Sequence, residues 1–140
     1  MDSDCSQSCA VDKSPEARRC SGRDSEMLCV QSKIWVERDG KVVLSDWRVR
    51  LLETIDETGS LSRAAEKLEV PYRTAWYKLK EIEDRLGVKL LETQSGGADG
   101  GGSRLTADAR QLITRFRRVC AGIGELVEQR FRTESRDLLG

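Results

Sequence analysis

The stretch LSRAAEKLEVPYRTAWYKLKEIEDRLG, residues 61–87, decides how this chain folds. Its first part repeats apolar groups at helical spacing: Leu61, Ala64, Ala65 and Leu68 share one face. The adjacent alanines on that face let a second helix come close. Pro71 then sits where a first helical turn tolerates it. From there Ala75, Leu79, Ile82 and Leu86 line one face of a second helix, which Gly87 ends. Only a few residues around Glu69–Val70 separate the two.

Upstream lies a third helix. Ser45 or Asp46 caps it, Trp47, Leu51, Leu52, Ile55 and Thr58 recur at helical intervals, Gly59 stops it and Ser60 opens the next. Before it, SKIWVERDGKVVLS places β-branched residues on both sides of Asp39-Gly40. That pattern predicts a hairpin with strands near 31–38 and 41–44. Three helices with one tight connection make a helix-turn-helix layout, or any small helical bundle.

The residues after Gly87 separate these two architectures. VKLLETQ, residues 88–94, predicts a short strand. The stretch TQSGGADGGGSRLT, residues 93–106, is a glycine loop whose end, SRL, can pair back as a second strand. Strand, loop and strand behind the third helix form a wing. Glycines there would let main-chain N–H groups approach phosphate oxygens unobstructed. Thr106 caps a last segment in which Ala109, Leu112, Ile113, Phe116, Val119, Cys120, Ile123, Leu126 and Val127 recur at helical intervals. A single helix to about Phe131 is expected, weakened in the middle by Gly122 and Gly124. Such a helix is too long for one small domain to cover. Leu112, Phe116, Val119, Ile123, Leu126 and Val127 are therefore expected to form a homodimer seam.

The 140 residues carry 24 basic and 24 acidic side chains, so overall charge lends nucleic-acid binding no support and local distribution must carry it. Residues 30–133 hold 19 basic and 16 acidic groups. The absence of histidine removes His-based acid–base catalysis, Ser-His-Asp triads and His-ligated zinc. No nucleophile stands beside a base and no GxxxxGK[ST] loop occurs, so the chain is not expected to be an enzyme, and no cofactor is expected. No apolar run approaches the ~20 residues of a membrane span, and the polar N-terminus lacks the features of a secretory signal. A cytoplasmic location and reduced thiols at Cys5, Cys9, Cys20, Cys29 and Cys120 are the expectation. The spacing of the first four lacks the C-x2-C knuckle of zinc ribbons. The expected organisation is a disordered tail over 1–28, a winged helix-turn-helix over 29–106, a dimerisation helix over 107–133 and a tail over 134–140.

Taken together, IDETGSLSRAA (55–65), YRTAW (72–76), LLE (90–92), GGADGGG (96–102) and RLTADAR (104–110) resemble the DNA-binding domain of ModE-type molybdate-responsive regulators, over roughly residues 33–131. LysR-type regulators share the helix-turn-helix and the strand after it, but not the YRTAW and glycine-wing pair. The resemblance implies a mainly α fold with small β: a winged helix-turn-helix with an N-terminal hairpin and a long C-terminal dimerisation helix. It implies a transcriptional regulator that binds double-stranded DNA at a palindromic operator. Two departures stand out. The 140 residues contain nothing that resembles the family's C-terminal oxyanion-binding modules, so an oxyanion effector domain is not expected in this chain. The wing carries Ala98-Asp99 where the family often has a basic residue.

With the 61–87 helices so placed, Pro71, Tyr72, Arg73, Thr74 and Tyr77 would face the major groove, Tyr72 and Thr74 adding phosphate or thymine-methyl contacts. Arg73 is the expected base contact, by bidentate pairing with guanine. Ser62 and Arg63 would meet the backbone, joined by Gly96, Gly97, Gly100, Gly101, Gly102 and Arg104 of the wing. Lys78 and Lys80 could reach phosphate or remain solvated surface charges. Trp76 could stack outward, but an indole between Ala75 and Tyr77 is expected to close the core. The acidic end, Glu81–Asp84, would lie away from DNA. Two other roles use the same fold: a thiol- or metal-responsive regulator working through the N-terminal cysteines, and a winged-helix module that binds protein.

Overall fold

A computed structural model describes residues 28–93 and 102–137. The elements run β1 (Trp35–Arg38), β2 (Lys41–Ser45), α1 (Asp46–Thr58), α2 (Leu61–Lys67), α3 (Tyr72–Leu86), β3 (Leu91–Thr93), β4 (Ser103–Leu105), α4 (Ala107–Cys120) and α5 (Ile123–Ser135). They fall into two units. One, Lys33–Ala121, contains everything from β1 to α4; the described part of the other is residues 28–32 and 122–137, with α5 as its helix.

The hairpin turns where the sequence predicts. Asp39 and Gly40 both take left-handed backbone, with φ of 53° and 75°, as a two-residue primed turn requires. β1 starts at Trp35 rather than near 31, because Trp35 already pairs with Ser45 and the chain beyond Ser45 coils into α1. Residues 31–34 have no strand left to pair with. The register slips between Val36 and Glu37, since Val36 pairs with Leu44 and Glu37 with Val42. The extra residue breaks the alternation, so consecutive Val43 and Leu44 are both buried.

Hydroxyl caps open three of the four helices of the first unit. Ser45 accepts from the Arg48 N–H, Ser60 from Arg63 and Thr106 from Ala109. Gly59, at φ 69°, closes α1 by donating to Ile55. α2 closes with the Glu69 N–H on Glu66 and the Val70 N–H on Ala65, Glu69 itself being left-handed at φ 57°. This paired closure of a helix end, on a non-glycine residue, sets the short turn into α3.

The core joins Val49, Leu51, Leu52 and Ile55 of α1 to Leu61, Ala64 and Ala65 of α2, and to Ala75, Leu79 and Ile82 of α3. Leu90, Leu105, Ala109 and Phe116 complete it. Each fully buried Leu or Ile contributes about 1.5–3 kcal/mol relative to exposure.

Polar contacts brace this core. Arg48, only 5% exposed, donates to Glu81 at 3.0 Å, while its Nη1 has no hydrogen-bond partner among the described residues. Arg85, at the far end of α3, donates to the Val42 carbonyl, and Arg38 donates to the Arg85 carbonyl at 3.1 Å. The hairpin is thus pinned to the end of α3 remote from Tyr72. The acidic stretch 81–84, expected to lie away from DNA, therefore contains a structural brace at Glu81. Burial depresses the Arg48 pKa by more than its bond to Glu81 restores. Burial also pushes the Glu81 carboxyl up, but the Arg48 hydrogen bond and the field of Lys78, Arg48 and Arg85 together hold it below its ordinary value. Across the other side, Arg117 of α4 forks onto both oxygens of Glu53, at 3.0 and 2.8 Å, and reaches Asp46 at 2.7 Å. Those bonds, the pair on Glu53 foremost, raise its pKa well above the ordinary arginine value. Arg110 lies 3.5 Å from Asp56, so α4 runs antiparallel to α1.

Three expectations are corrected. The last segment is two helices, not one to Phe131. Ala121 leaves helical backbone (ψ 125°), Gly122 turns left-handed (φ 78°), and α5 begins afresh at Ile123. Phe116, expected at a dimer seam, is 3% exposed in its own domain's core, and Leu112 packs against that core. A 14-residue α4 is short enough for α1 to cover. Cys29, expected as a reduced thiol, is disulfide-bonded; Cys120 is a free thiol whose pKa burial raises. Cys5, Cys9 and Cys20 lie outside the described residues.

Replacing Glu81 with Ala strands the Arg48 guanidinium. Because Glu81 is itself about a third exposed, the loss should be about 2–3 kcal/mol, below the ~3–5 of a fully buried pair, read as a lower urea midpoint. The depressed Glu81 pKa adds stability that is complete above the ordinary glutamate value of about 4.3 and drains away as pH falls through the lower folded value. The Ala variant should lack that acid limb. Arg117→Lys keeps the charge but not the fork, and should lower stability by about 1 kcal/mol in the same assay.

Candidate nucleic-acid interface

α3 presents two faces because its sequence carries two patterns. Ala75, Leu79 and Ile82 face inward; Tyr72 (53% exposed), Arg73, Trp76 (39%) and Tyr77 (55%) face outward. Pro71 is exposed, and Thr74 and Lys78 are half-buried. Alone among the helices of its unit, α3 begins with no side-chain cap: Pro71 occupies the cap position and offers no hydroxyl. Ala75 donates to the Pro71 carbonyl at 3.2 Å. The first N–H groups of α3 therefore point outward beside Arg73, with the positive end of the helix dipole behind them.

The wing root is built onto the α1–α2 turn. The Ser103 N–H donates to the Gly59 carbonyl at 2.8 Å. A Cβ on Gly102 would lie 3.1 Å from that same oxygen, so a glycine at 102 serves this close approach whatever else it meets. β4 pairs with β3 as Leu91–Leu105, Glu92–Arg104 and Thr93–Ser103. The described part of β3 begins at Leu91, later than the strand expected over 88–94. Thr106 continues the join, donating its N–H to Leu90 and its hydroxyl to Lys89. Ser103 thus meets Gly59, the residue before the Ser60 cap of α2; Ser62 and Arg63 in the first turn of α2 and Arg104 of β4 are all exposed. Arg63, Arg73 and Arg104 make no ion pair among the described residues. Glu92 stands directly opposite Arg104 across the wing stem, an acidic neighbour that lowers the positive potential there. Gly96, Gly97, Gly100 and Gly101 lie outside the described residues.

One side chain departs from expectation. Trp76 does not close the core: its ring meets Tyr77 edge-on, with centroids 5.4 Å apart and planes at 77°, and the Lys80 ammonium lies 5.9 Å from its centroid. Position 76 is about 90° around the helix from the centre of the buried face at 100° per residue, and the sequence pattern cannot decide such a boundary position. Lys78 lies 3.7 Å from Glu81, and Lys80 3.3 Å from Glu83, so both ammonium groups already have acidic neighbours. No group of three His, Cys, Asp or Glu side chains suited to a metal occurs among the described residues, and no described helix is long and apolar enough to cross a membrane.

These features define a class. Residues 47–110, from α1 through the wing to the first turn of α4, match the family of bacterial regulatory helix-turn-helix proteins, lysR family. That segment is similar to lysR-family helix-turn-helix domains, and the chain is also similar over part of its length to proteins named ModE. The chain is 33% identical over 86 residues to the molybdenum transport protein ModE of Azotobacter vinelandii, covering 61% of this chain and 32% of that protein. It is 41% identical over 69 residues to the transcriptional regulator ModE of Haemophilus influenzae, covering 49% and 27%. The chain thus spans about a third of the length of the curated relatives it matches. Among solved structures it is similar to full-length CbnR complexed with its target DNA, at 23% identity and a TM-score of 0.49, over 61% of this chain and 28% of that one.

Gly102→Ala should push the wing root off the α1–α2 turn. Amide exchange at Ser103 should quicken markedly while Leu52 and Ile55 keep their protection; unchanged exchange at Ser103 would show that the turn absorbs the methyl.

Proposed function

We propose that this chain binds double-stranded DNA as a transcriptional regulator, with the N-terminal half of α3 in the major groove and the wing against the backbone. One observation carries the reading: Tyr72, Arg73, Trp76 and Tyr77 project together from a helix whose opposite side is locked in the core. Arg73 reads guanine through its guanidinium. The uncapped start of α3, with Ser62, Arg63 and Arg104, meets phosphates, which position the domain without reading sequence. The zero net charge of the chain is compatible with this role because Arg63, Arg73 and Arg104 lie on the proposed face while Glu81 is engaged with Arg48.

The regulator acts as a homodimer on a palindrome, with half-sites about 34–36 Å apart or a multiple of that. With Phe116 and Leu112 committed to the core, the seam falls to Val119, which is 58% exposed, and to Ile123, Leu126 and Val127 of α5. Helical apolar residues left half-covered in one chain support a second copy as their cover.

Selection of bound sequences from a random duplex pool tests the whole reading. A palindrome is the expected result. Binding that ignores sequence and salt, or no binding, supports the rival reading as a protein-binding winged helix. Arg73→Ala should cost about 1–3 kcal/mol and relax preference at one base pair, while Arg63→Ala or Arg104→Ala should weaken all duplexes alike and lower the salt slope by about 1. Light scattering at micromolar concentration should give twice the chain mass.

A further inference from the structure

The outward face of α3 is more apolar than phosphate contact or guanine reading needs. Tyr72 and Trp76 stand one turn apart, and Tyr77 braces the Trp76 ring edge-on. Together they leave three aromatic rings between 39% and 55% exposed on the first two turns. Residues in those turns of a recognition helix are the ones that reach base edges. An exposed indole is a large apolar surface, and its burial in a groove is favourable only against an apolar group. The major groove offers one such group on its floor, the 5-methyl of thymine. Arg73, adjacent in sequence to Tyr72, supplies the polar half of the same reading edge.

Resting on the DNA-binding reading above, we propose that Trp76, held by Tyr77 and flanked by Tyr72, is a specificity-determining residue that recognises thymine 5-methyl groups beside the guanine read by Arg73. The cognate half-site then contains at least one thymine whose methyl, not its pairing, is read. Tyr77 is a positioning residue: it fixes the plane of the indole and need not touch DNA. The Lys80 ammonium near the ring adds a cation on the same side without competing for the methyl, since it faces the π system.

Uracil pairs as thymine does and lacks only the methyl, which makes it the discriminating probe. The full 140-residue chain is challenged in parallel with two random duplex pools, one made with deoxythymidine and one with deoxyuridine throughout. The wild type should select a thymine next to the Arg73 guanine in the first pool, and that position should lose its preference in the second. In direct titration a selected duplex should bind about four-fold more weakly per contacted methyl removed, the ratio one buried methyl group carries. Trp76→Ala, an exposed position on a helix, should keep its melting temperature and its guanine preference but bind thymine and uracil duplexes equally. Arg73→Ala should show the converse, losing guanine and keeping the thymine-over-uracil ratio. Equal wild-type binding to both selected duplexes overturns the thymine assignment while leaving sequence-specific DNA binding intact. A Trp76→Ala variant that retains the ratio, or binds every duplex as the wild type does, also overturns it and reassigns the aromatic patch to a protein partner. Absence of any duplex selection overturns this inference and the reading beneath it together.

Discussion

The inner face of α3 is the constraint on which the rest depends. Ala75, Leu79 and Ile82 are buried against α1 and α2, and three of the residues at this junction, Ala64, Ala65 and Ala75, are alanines. Small side chains let helix backbones approach closely, and close packing fixes rotation about the helix axis. Once Ala75 and Leu79 are buried, Arg73 and Tyr77 must point away. The exposure of the reading face is thus a consequence of burial on the opposite one.

Two polar braces protect that orientation. At the distal end of α3, Arg85 and Arg38 bind it to the hairpin, while Arg48 and Glu81 join it to α1. On the opposite flank Arg117 ties α4 to Asp46 and Glu53 of the same α1. α1 therefore receives a charged partner from each neighbour and acts as the spine. The braces gather acidic groups at the end and flank of the domain away from Tyr72, and the outward arginines stay unpaired among the described residues.

The wing obeys a related economy. Its root is held by main-chain bonds, Ser103 to Gly59 and Thr106 to Leu90, which demand little of side chains and leave Arg104 outward. Gly102 is small because a carbonyl sits where its Cβ would press. A glycine-rich segment read only as a phosphate cradle in sequence thus has at least one residue with an internal steric reason.

Much of this was legible in the residues themselves. Local rules decide turns, caps and amphipathic faces, so Asp39-Gly40, Ser45, Gly59, Ser60, Gly87 and Thr106 marked element ends, and the apolar spacing named the inner faces of α1, α2 and α3. The outward display of Tyr72, Arg73 and Tyr77 came from that spacing. Tertiary structure decided what periodicity leaves undetermined. Trp76 sits at the edge of the buried face, and only the placement of its neighbours turns it outward. Phe116 looked free to meet a partner until α1 covered it. Glu81 read only as part of an acidic end turned from DNA until Arg48, 33 positions away, was found buried against it. Gly122 looked tolerable in a continuous helix, yet its left-handed backbone ends one helix and starts another. Short-range order is encoded by neighbours in the chain, whereas burial and ion pairing depend on residues brought together from far apart, and no pattern within one element can reveal them.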